Sequence, residues 1–264
     1  MDNTSQTSAV RMIDIVFPND ANHHGTLFGG AALSYMDKAA FLAASRHGRV
    51  PFVTASSEKI DFSRPAYIGD MVQTTGRVVR VGNSSLDVEV ELKAEQPVTG
   101  EQRLCTLGKF TLVAVKGEGV RLPLPPLVEL AASEFESDAL GMVDVLFPTQ
   151  TNHFGTLYGG DALKMMGKAA FIAATKRSRR NVVMAASDRI DFVSPINQGD
   201  MIELSARILM TGRTSLRVEV QLWSEELLSG ARKRAATGVF TMVCIGSDGR
   251  PCPIERSADE AVRP

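Results

Sequence analysis

The chain has 264 residues, 44% hydrophobic and 22% charged, with 29 Lys and Arg against 30 Asp and Glu for a formal net charge of -1. That balance excludes the global basic field that drives binding to nucleic acid or to an anionic membrane, and at roughly 150 residues per domain the length predicts about two domains. Three widely spaced cysteines, Cys105, Cys244 and Cys252, supply neither a disulfide framework nor a zinc motif. The expected compartment is the reducing cytoplasm: the first residues, MDNTSQTSAVRM, lack the basic start and apolar run of an export signal. The most apolar helical stretch, 31–44, is too short for a bilayer and is interrupted by Asp37 and Lys38.

In chain order, a short apolar strand over 10–17 leads into a turn-rich loop ending at Gly29-Gly30, where an Ala-rich helix starts and runs to about residue 47. β-type runs follow over 51–62, 71–81, 86–93 and 104–115. Leu86, Val88, Val90 and Leu92 alternate with Asp87, Glu89 and Glu91, which predicts a strand with one face buried and one wet. Residues 121–141 read as a connector that Pro123, Pro125 and Pro126 hold extended. Then the same order begins again. FPNDANHHGTLFGGAALSYMDKAAFLAAS (17–45) and FPTQTNHFGTLYGGDALKMMGKAAFIAAT (147–175) are identical at 18 of 29 positions at a constant offset of 130. The offset persists without a gap through SSEKIDFSRP and ASDRIDFVSP, SLDVEVEL and SLRVEVQL, GKFTLV and GVFTMV. A chain with only two copies suits a paired fold better than a solenoid. The expected division is a first domain at 1–120, a linker at 121–141, a second domain at 142–250 and a tail at 251–264. A long helix followed by an antiparallel sheet makes each unit α+β, with the sheet wrapping around the helix.

The N-x-x-G-x-x-[FY]-G-G loop, the helix carrying Met36-Asp37, VTAS, and the run I-D-F-x-x-P-x-x-x-G-D, in that order, resemble the hotdog-fold acyl-CoA thioesterases, in particular their cytosolic acyl-CoA hydrolase branch. The likeness covers about 12–115 and 142–246. It implies a double hotdog, with two fused copies in place of the usual homodimer.

Asp37 is the first chemical candidate. Helical spacing puts it on one face with Leu33, Ala40, Phe41 and Ala44, where an uncompensated charge is costly, whereas Lys38, grouped with Ser34 and Ser45, reads as solvated or at an edge. The second copy has Gly167 in place of Asp37, a poor residue for a helix interior, and Met184 in place of Thr54. The loop asparagine is kept as Asn22 and Asn152. In the hotdog thioesterases that the chain resembles, the helix acid and strand hydroxyl of one unit meet the loop Asn and Gly amide of the other. Carried over, this implies one complete site, Asp37 and Thr54 with Asn152 and Gly159. The combination of Asn22 and Gly29 with Gly167 and Met184 lacks its base.

A thiolate leaves easily, so such a site needs only to activate water and to stabilise an oxyanion. Asp37 suits either the role of general base or that of nucleophile forming an anhydride. A backbone N–H at the Gly159-Gly160 helix start suits the thioester oxygen, and Asn152 suits the water or the carbonyl. For substrate contacts the candidates are Gly160, His153, Arg64 and the turn residues Ser84, Ser85 and Arg213, whose hydroxyls or guanidinium match phosphate. Hairpin turns and a plain loop histidine account for several of these equally well. Glu58 and Asp188 read as structural. The reaction class implied is hydrolysis of an acyl-CoA to CoA and a carboxylic acid, with no cofactor beyond the CoA of the substrate and no metal. A non-catalytic acyl-CoA binder and an enoyl-CoA hydratase or dehydratase are the alternatives. The partners expected are the acyl-CoA substrate and further copies of the chain, a trimer of double hotdogs first among them, with neither nucleic acid nor membrane.

Overall fold

The computed structural model describes residues 9–127 and 140–254. The middle of the expected linker and the residues beyond 254 lie outside the described residues. The first half runs β1 (Ala9–Ile15), α1 (Gly29–Gly48), β2 (Phe52–Ser57), β3 (Met71–Val81), β4 (Ser85–Glu95), β5 (Gln102–Lys116) and β6 (Val120–Arg121). The second runs β7 (Leu140–Val145), α2 (Gly159–Ser178), β8 (Asn181–Ser187), β9 (Asp191–Phe192), β10 (Met201–Thr211), β11 (Ser215–Glu225) and β12 (Arg232–Ile245). Each half is an antiparallel sheet, ordered β1-β3-β4-β5-β2 in the first and β7-β10-β11-β12-β8 in the second, wrapped around its own helix. This is the α+β double hotdog implied by the sequence.

α1 is enclosed rather than one-sided. Met36, Ala39, Ala40, Leu42, Ala43 and Ala44 are all fully buried, so small residues set how closely the sheet approaches. At Gly76 in β3 a Cβ would lie 2.7 Å from the Ala39 carbonyl oxygen, so only glycine lets the strand come that near. The strand expected over 51–62 stops at Ser57. Beyond it the chain tucks Ile60 over Gly108 of β5, where a Cβ would stand 2.8 Å from Ile60 Cδ1.

The two halves complete each other's cores. In β1 the pleat sends Val10 and Met12 into the first core, while Ile13 and Ile15 enter the second. β7 reciprocates, with Val143 and Val145 in the first core and Met142 in the second. Each such side chain contributes about 1.5–3 kcal/mol by full burial, so neither half has a finished core alone. Lys38, expected at a wet edge, instead donates to Asp144 Oδ1 at 2.9 Å across this junction, and Lys168 donates to Asp14 Oδ1 at the same distance. Ser45, grouped with Lys38 in sequence, is buried. Ser34 of the same face is exposed, so the partner half covers only part of that face.

The helix C-termini form a second pair of locks. Arg49 and Arg179, with φ 52° and 51°, cap α1 and α2 in the left-handed region. That conformation is costly for any residue but glycine. Each guanidinium reaches a buried carboxylate of the other half, Arg49 to Glu225 at 2.6 Å and Arg179 to Glu95 at 2.5 Å. A glycine would relieve the backbone but could not make that contact.

The repeat extends further than the sequence match suggested. Leu122 N donates to Ala114 O and Leu124 N to Asn83 O, while Cys252 N donates to Cys244 O and Ile254 N to Arg213 O, again at an offset of 130. Residues 121–124 and 251–254 thus add an edge segment to the first and second sheet respectively. Only the proline at 123 and 253 matches between them, and hydrogen bonding through the backbone leaves little trace in side-chain identity.

Candidate active site

Asp37 lies near the middle of α1, half-buried, and its Oδ1 accepts a 2.7 Å hydrogen bond from Thr54 Oγ1 on β2. The two residues are 17 apart in sequence, and the strand delivers the hydroxyl at an irregularity: the β2–β5 register shifts between Thr54 and Ser56. A bulge of this kind re-aims side chains beside functional sites. The hydroxyl pins one carboxylate oxygen, and among the described residues Oδ2 has no protein hydrogen bond. A carboxylate so held has one oxygen oriented and one available for a proton or an electrophile.

The mirror position is built differently. A Cβ on Gly167 would lie 2.8 Å from Cε of Met184, the far end of a flexible and exposed side chain that stands where the first half has the Thr54 hydroxyl. β8 carries the same register shift as β2, between the partners of Thr241 and Met242.

Asn152 is held in its own loop. Its Oδ1 accepts from Phe154 N at 2.9 Å, Thr156 N at 3.3 Å and Thr156 Oγ1 at 3.2 Å, and its Nδ2 donates to Thr156 Oγ1 at 2.9 Å. Asn22 makes the same four bonds at the same distances. This is an Asx-type turn, and it leaves one Nδ2 hydrogen of each asparagine for another acceptor. The Asn152 loop rests on the segment after β9 through Leu157 N to Ile196 O and Gln198 N to Gly155 O. The second-half residues preceding it meet α1 directly: Phe147 lies under Lys38 Nζ at 5.7 Å, and Asp144 binds the same lysine.

At the start of α2 the Gly159 and Gly160 N–H groups make no backbone hydrogen bond among the described residues. They lie at the positive end of the helix dipole. A Cβ on Gly159 would meet nothing within 4 Å, whereas one on Gly160 would lie 2.7 Å from the exposed Tyr158 ring. His153 is exposed and its ring lies tilted by 42° against that of Phe154, with centroids 3.9 Å apart.

The remaining candidates are spread out. Arg64 is exposed and lines a pocket of about 360 Å³ with Gly29, Thr26 and Phe62, all from the first half, so it stands beside the first loop and not beside Gly159. Ser84 is buried with its carbonyl accepting Ala114 N, Ser85 opens β4 with its carbonyl accepting Gly82 N, and Arg213 is exposed in the matching turn. Asp70 and Asp200 of the G-D motif tie their own turns. Asp70 accepts Tyr67 N at 2.7 Å and an Arg103 N–H, and Asp200 accepts Asn197 N at 2.9 Å and Ser224 Oγ at 2.6 Å. Burial pushes the Asp70 carboxyl up, against the Tyr67 N–H and Arg103, which pull it down. Glu58 pairs with Lys109 and Asp188 with Arg217, in line with their structural reading.

Sequence reasoning missed a cleft whose lining includes none of Asp37, Thr54, Asn152 and Gly159. It measures about 690 Å³ and lies between the halves, walled by Phe41, Phe52 and Val50 of the first and by Leu227, Leu228 and Asn197 of the second. Phe41 is one helical turn from Asp37 and Phe52 two strand residues from Thr54, so both spacings were visible in sequence. The opposite wall comes from residues about 180 positions away. Among the described residues no group of three potential metal ligands occurs, and no helix is long and apolar enough to cross a membrane.

Comparison with known proteins places this geometry. A model of the thioesterase superfamily matches twice, over 24–101 and 154–231. A crystal structure of an acyl-CoA hydrolase from Agrobacterium tumefaciens superimposes with a TM-score of 0.85 at 48% identity, covering 93% of this chain and 98% of that one. The cytosolic acyl coenzyme A thioester hydrolase of Mus musculus is 25% identical over 95% of this chain and 78% of its own length. An uncharacterized acyl-CoA thioester hydrolase of Bacillus subtilis is 36% identical over 44% of this chain. With two matched domains that span more than half of its length, the chain belongs to the thioesterase superfamily, as a tandem of two hotdog domains in one polypeptide.

Proposed function

We propose that the protein hydrolyses an acyl-CoA to free CoA and a carboxylic acid at one composite site, in which Asp37 and Thr54 of the first half act with Asn152 and the Gly159 N–H of the second. The observation that carries this is the Asp37–Thr54 hydrogen bond in one half against the Gly167–Met184 contact in the other. A merely structural carboxylate would have served both halves alike. The names of the relatives in Agrobacterium tumefaciens and Mus musculus support the substrate class.

In the reaction, water adds through oxygen to the thioester carbonyl carbon while Asp37 Oδ2 takes its proton. The carbonyl oxygen gains the electron pair and is stabilised by the Gly159 N–H and the α2 dipole. The intermediate collapses, the C–S bond breaks, and the thiolate leaves with its electron pair and takes up the proton from Asp37. The alternative, attack by the carboxylate itself to give an anhydride that water then cleaves, uses the same residues. No cofactor enters either route. Gly160, His153, Arg64, Ser84, Ser85 and Arg213 stay in the proposal as substrate contacts, with Arg64 on the side of Gly29. The cytoplasm is the proposed location, in keeping with free Cys105, Cys244 and Cys252 and the cytosolic naming of the mammalian relatives. Further assembly of double hotdogs, a trimer first, is also proposed. The exposed β2, in which residues 53–57 face solvent, offers an unpaired edge for it.

The test is release of free thiol from a panel of acyl-CoAs by wild type and Asp37→Ala. Loss of turnover by about 100-fold or more fits general-base catalysis, and equal turnover refutes the mechanism.

A further inference from the structure

The second half has thiols at two positions where the first has none. Cys244, near the end of β12, and Cys252, in the edge segment 251–254, stand at the offset of 130 from Ala114 and Leu122. After β12 the chain turns back, so that Ile245 bridges Pro251 in antiparallel fashion and Cys252 N donates to Cys244 O at 2.9 Å. In that register residues 244 and 252 are directly opposed, with the Cα separation of about 5.5 Å of a hydrogen-bonded antiparallel pair. A disulfide spans Cα atoms about 4.4–6.8 Å apart, so no strand has to move to form one. Opposed residues also share a face of the sheet, and both of these pack on the second core, Cys244 fully buried and Cys252 half-buried. Burial pushes the Cys244 thiol up, the hydroxyl of Ser178 at the end of α2 pulls it down, and a charge on Cys252 raises it, so each sulfur lies within the field of the other. In the first half the position of Ser178 is Gly48. Cys105 is buried in the first core, away from this pair.

We propose that Cys244 and Cys252 are a peroxide-responsive site, whose reversible disulfide closes the hairpin 244–252 and latches the edge segment 251–254 to β12. A reducing compartment keeps both thiols reduced at rest, and disulfides formed there are transient and redox-sensing rather than structural, which agrees with a chain that has no disulfide framework. The oxidant is hydrogen peroxide. Half-buried Cys252, the more accessible of the two, attacks one peroxide oxygen as the thiolate; the O–O bond breaks, and the departing hydroxide takes up the thiol proton to give water. The Cys244 sulfur then attacks the resulting sulfenic acid, the S–S bond forms, the S–O bond breaks, and the hydroxyl leaves with the Cys244 proton as a second water. The two sulfurs are oxidised by one electron each and the two peroxide oxygens are reduced. Because Ile254 N donates to Arg213 O, the closed latch also steadies the turn that carries Arg213. The inference is independent of the function proposed above.

The experiment treats the reduced, full-length protein with hydrogen peroxide and reads the mass of the tryptic peptide 235–256, which holds both cysteines because Pro251 protects Arg250 from cleavage. That peptide is expected to lose the mass of two hydrogen atoms and to regain it with dithiothreitol, while Cys105 stays titratable. Cys244→Ala and Cys252→Leu install the residues that the first half carries at these positions. Neither variant should lose the two hydrogens, and in Cys244→Ala the unresolved Cys252 should gain oxygen instead. Oxygen gained at Cys252 of the wild type without loss of the hydrogens, or a bridge between two chains in place of one within a chain, overturns the site. The latch itself is read by hydrogen exchange. The Cys252 and Ile254 amides should exchange at least about tenfold more slowly in the oxidised protein than in the reduced one, a modest share of the usual contribution of a cross-link, and peroxide should leave their exchange unchanged in both variants. A disulfide that forms without slowing these two amides overturns the latch.

Discussion

Replacement of Asn152 and of Asn22 by alanine is a test in which the molecule supplies its own control. The two side chains sit in loops with the same four hydrogen bonds, 2.9, 2.9, 3.2 and 3.3 Å long. Two of the four are accepted from backbone N–H groups, and a net worth of about 0.5–1.5 kcal/mol each gives about 1–3 kcal/mol of loop stability in either half. For a chain of this size that is a fall in Tm of about 2–4 °C per kcal/mol, equal for both variants. Activity should separate them. If the spare Nδ2 hydrogen of Asn152 contacts the carbonyl or the water, its loss costs about 2.7–4 kcal/mol of transition-state stabilisation, or 100-fold or more in kcat. In the proposed pairing Asn22 belongs to the combination that lacks an acid, so Asn22→Ala should leave kcat within about threefold, the residue of an indirect packing effect. The assay is thiol release at saturating acyl-CoA, with melting curves on the same samples. Equal losses of kcat would mean that both asparagines only shape their loops, and a larger loss for Asn22 would mean that the halves pair in the opposite sense.

Thr54→Val removes the hydroxyl that pins Asp37 Oδ1 at 2.7 Å while keeping the strand shape. It should lower kcat by about tenfold, roughly the worth of one hydrogen bond to a charged group, with little change in Tm; unchanged kcat would make the hydroxyl incidental. Arg49→Gly relieves a left-handed backbone worth about 1–2 kcal/mol but removes one of the two arginines on Glu225, which keeps Arg46 at 3.3 Å, a loss of about 1.5–3 kcal/mol for a contact to a charged group. The net expectation in thermal denaturation is a destabilisation between about zero and 2 kcal/mol, and a variant stabilised by about 1 kcal/mol or more would refute the account of the left-handed caps. For Glu95, burial acts to raise the carboxyl, but hydrogen bonds from Lys176 and Arg179 outweigh it and hold it below the usual carboxylate range. A depressed folded value means that this lock is fully present above the unfolded value, about pH 4.3, and is lost as pH falls through the lower, folded one. Glu95→Gln should therefore be less stable near neutrality and show a shallower loss of Tm between pH 5 and pH 3; a parallel curve would exclude Glu95 from the acid response.

The duplication, the two helices and the main strands of both halves follow from the one-dimensional pattern, because a repeated binary pattern at constant offset specifies the same local structure twice. The candidate acid was legible for the same reason: Asp37 against Gly167 and Thr54 against Met184 are differences between copies that are otherwise alike. What the sequence could not determine is what each exposed-looking face meets. Lys38 reads as a wet-edge residue until Asp144 of the other half stands against it, and Ile13 and Ile15 read as half of an ordinary strand until they enter the second core. The cleft at Phe41 and Phe52 is closed from the far side by residues of the other half, Leu227 and Leu228 among them, and the nearness of Met184 Cε to position 167 depends on the spacing between strand and helix. Local patterning determines which elements form and which face of each is apolar. Only tertiary structure decides the partner across a junction between two copies, because that partner is set by packing and charge complementarity at a sequence separation on which periodicity carries no information.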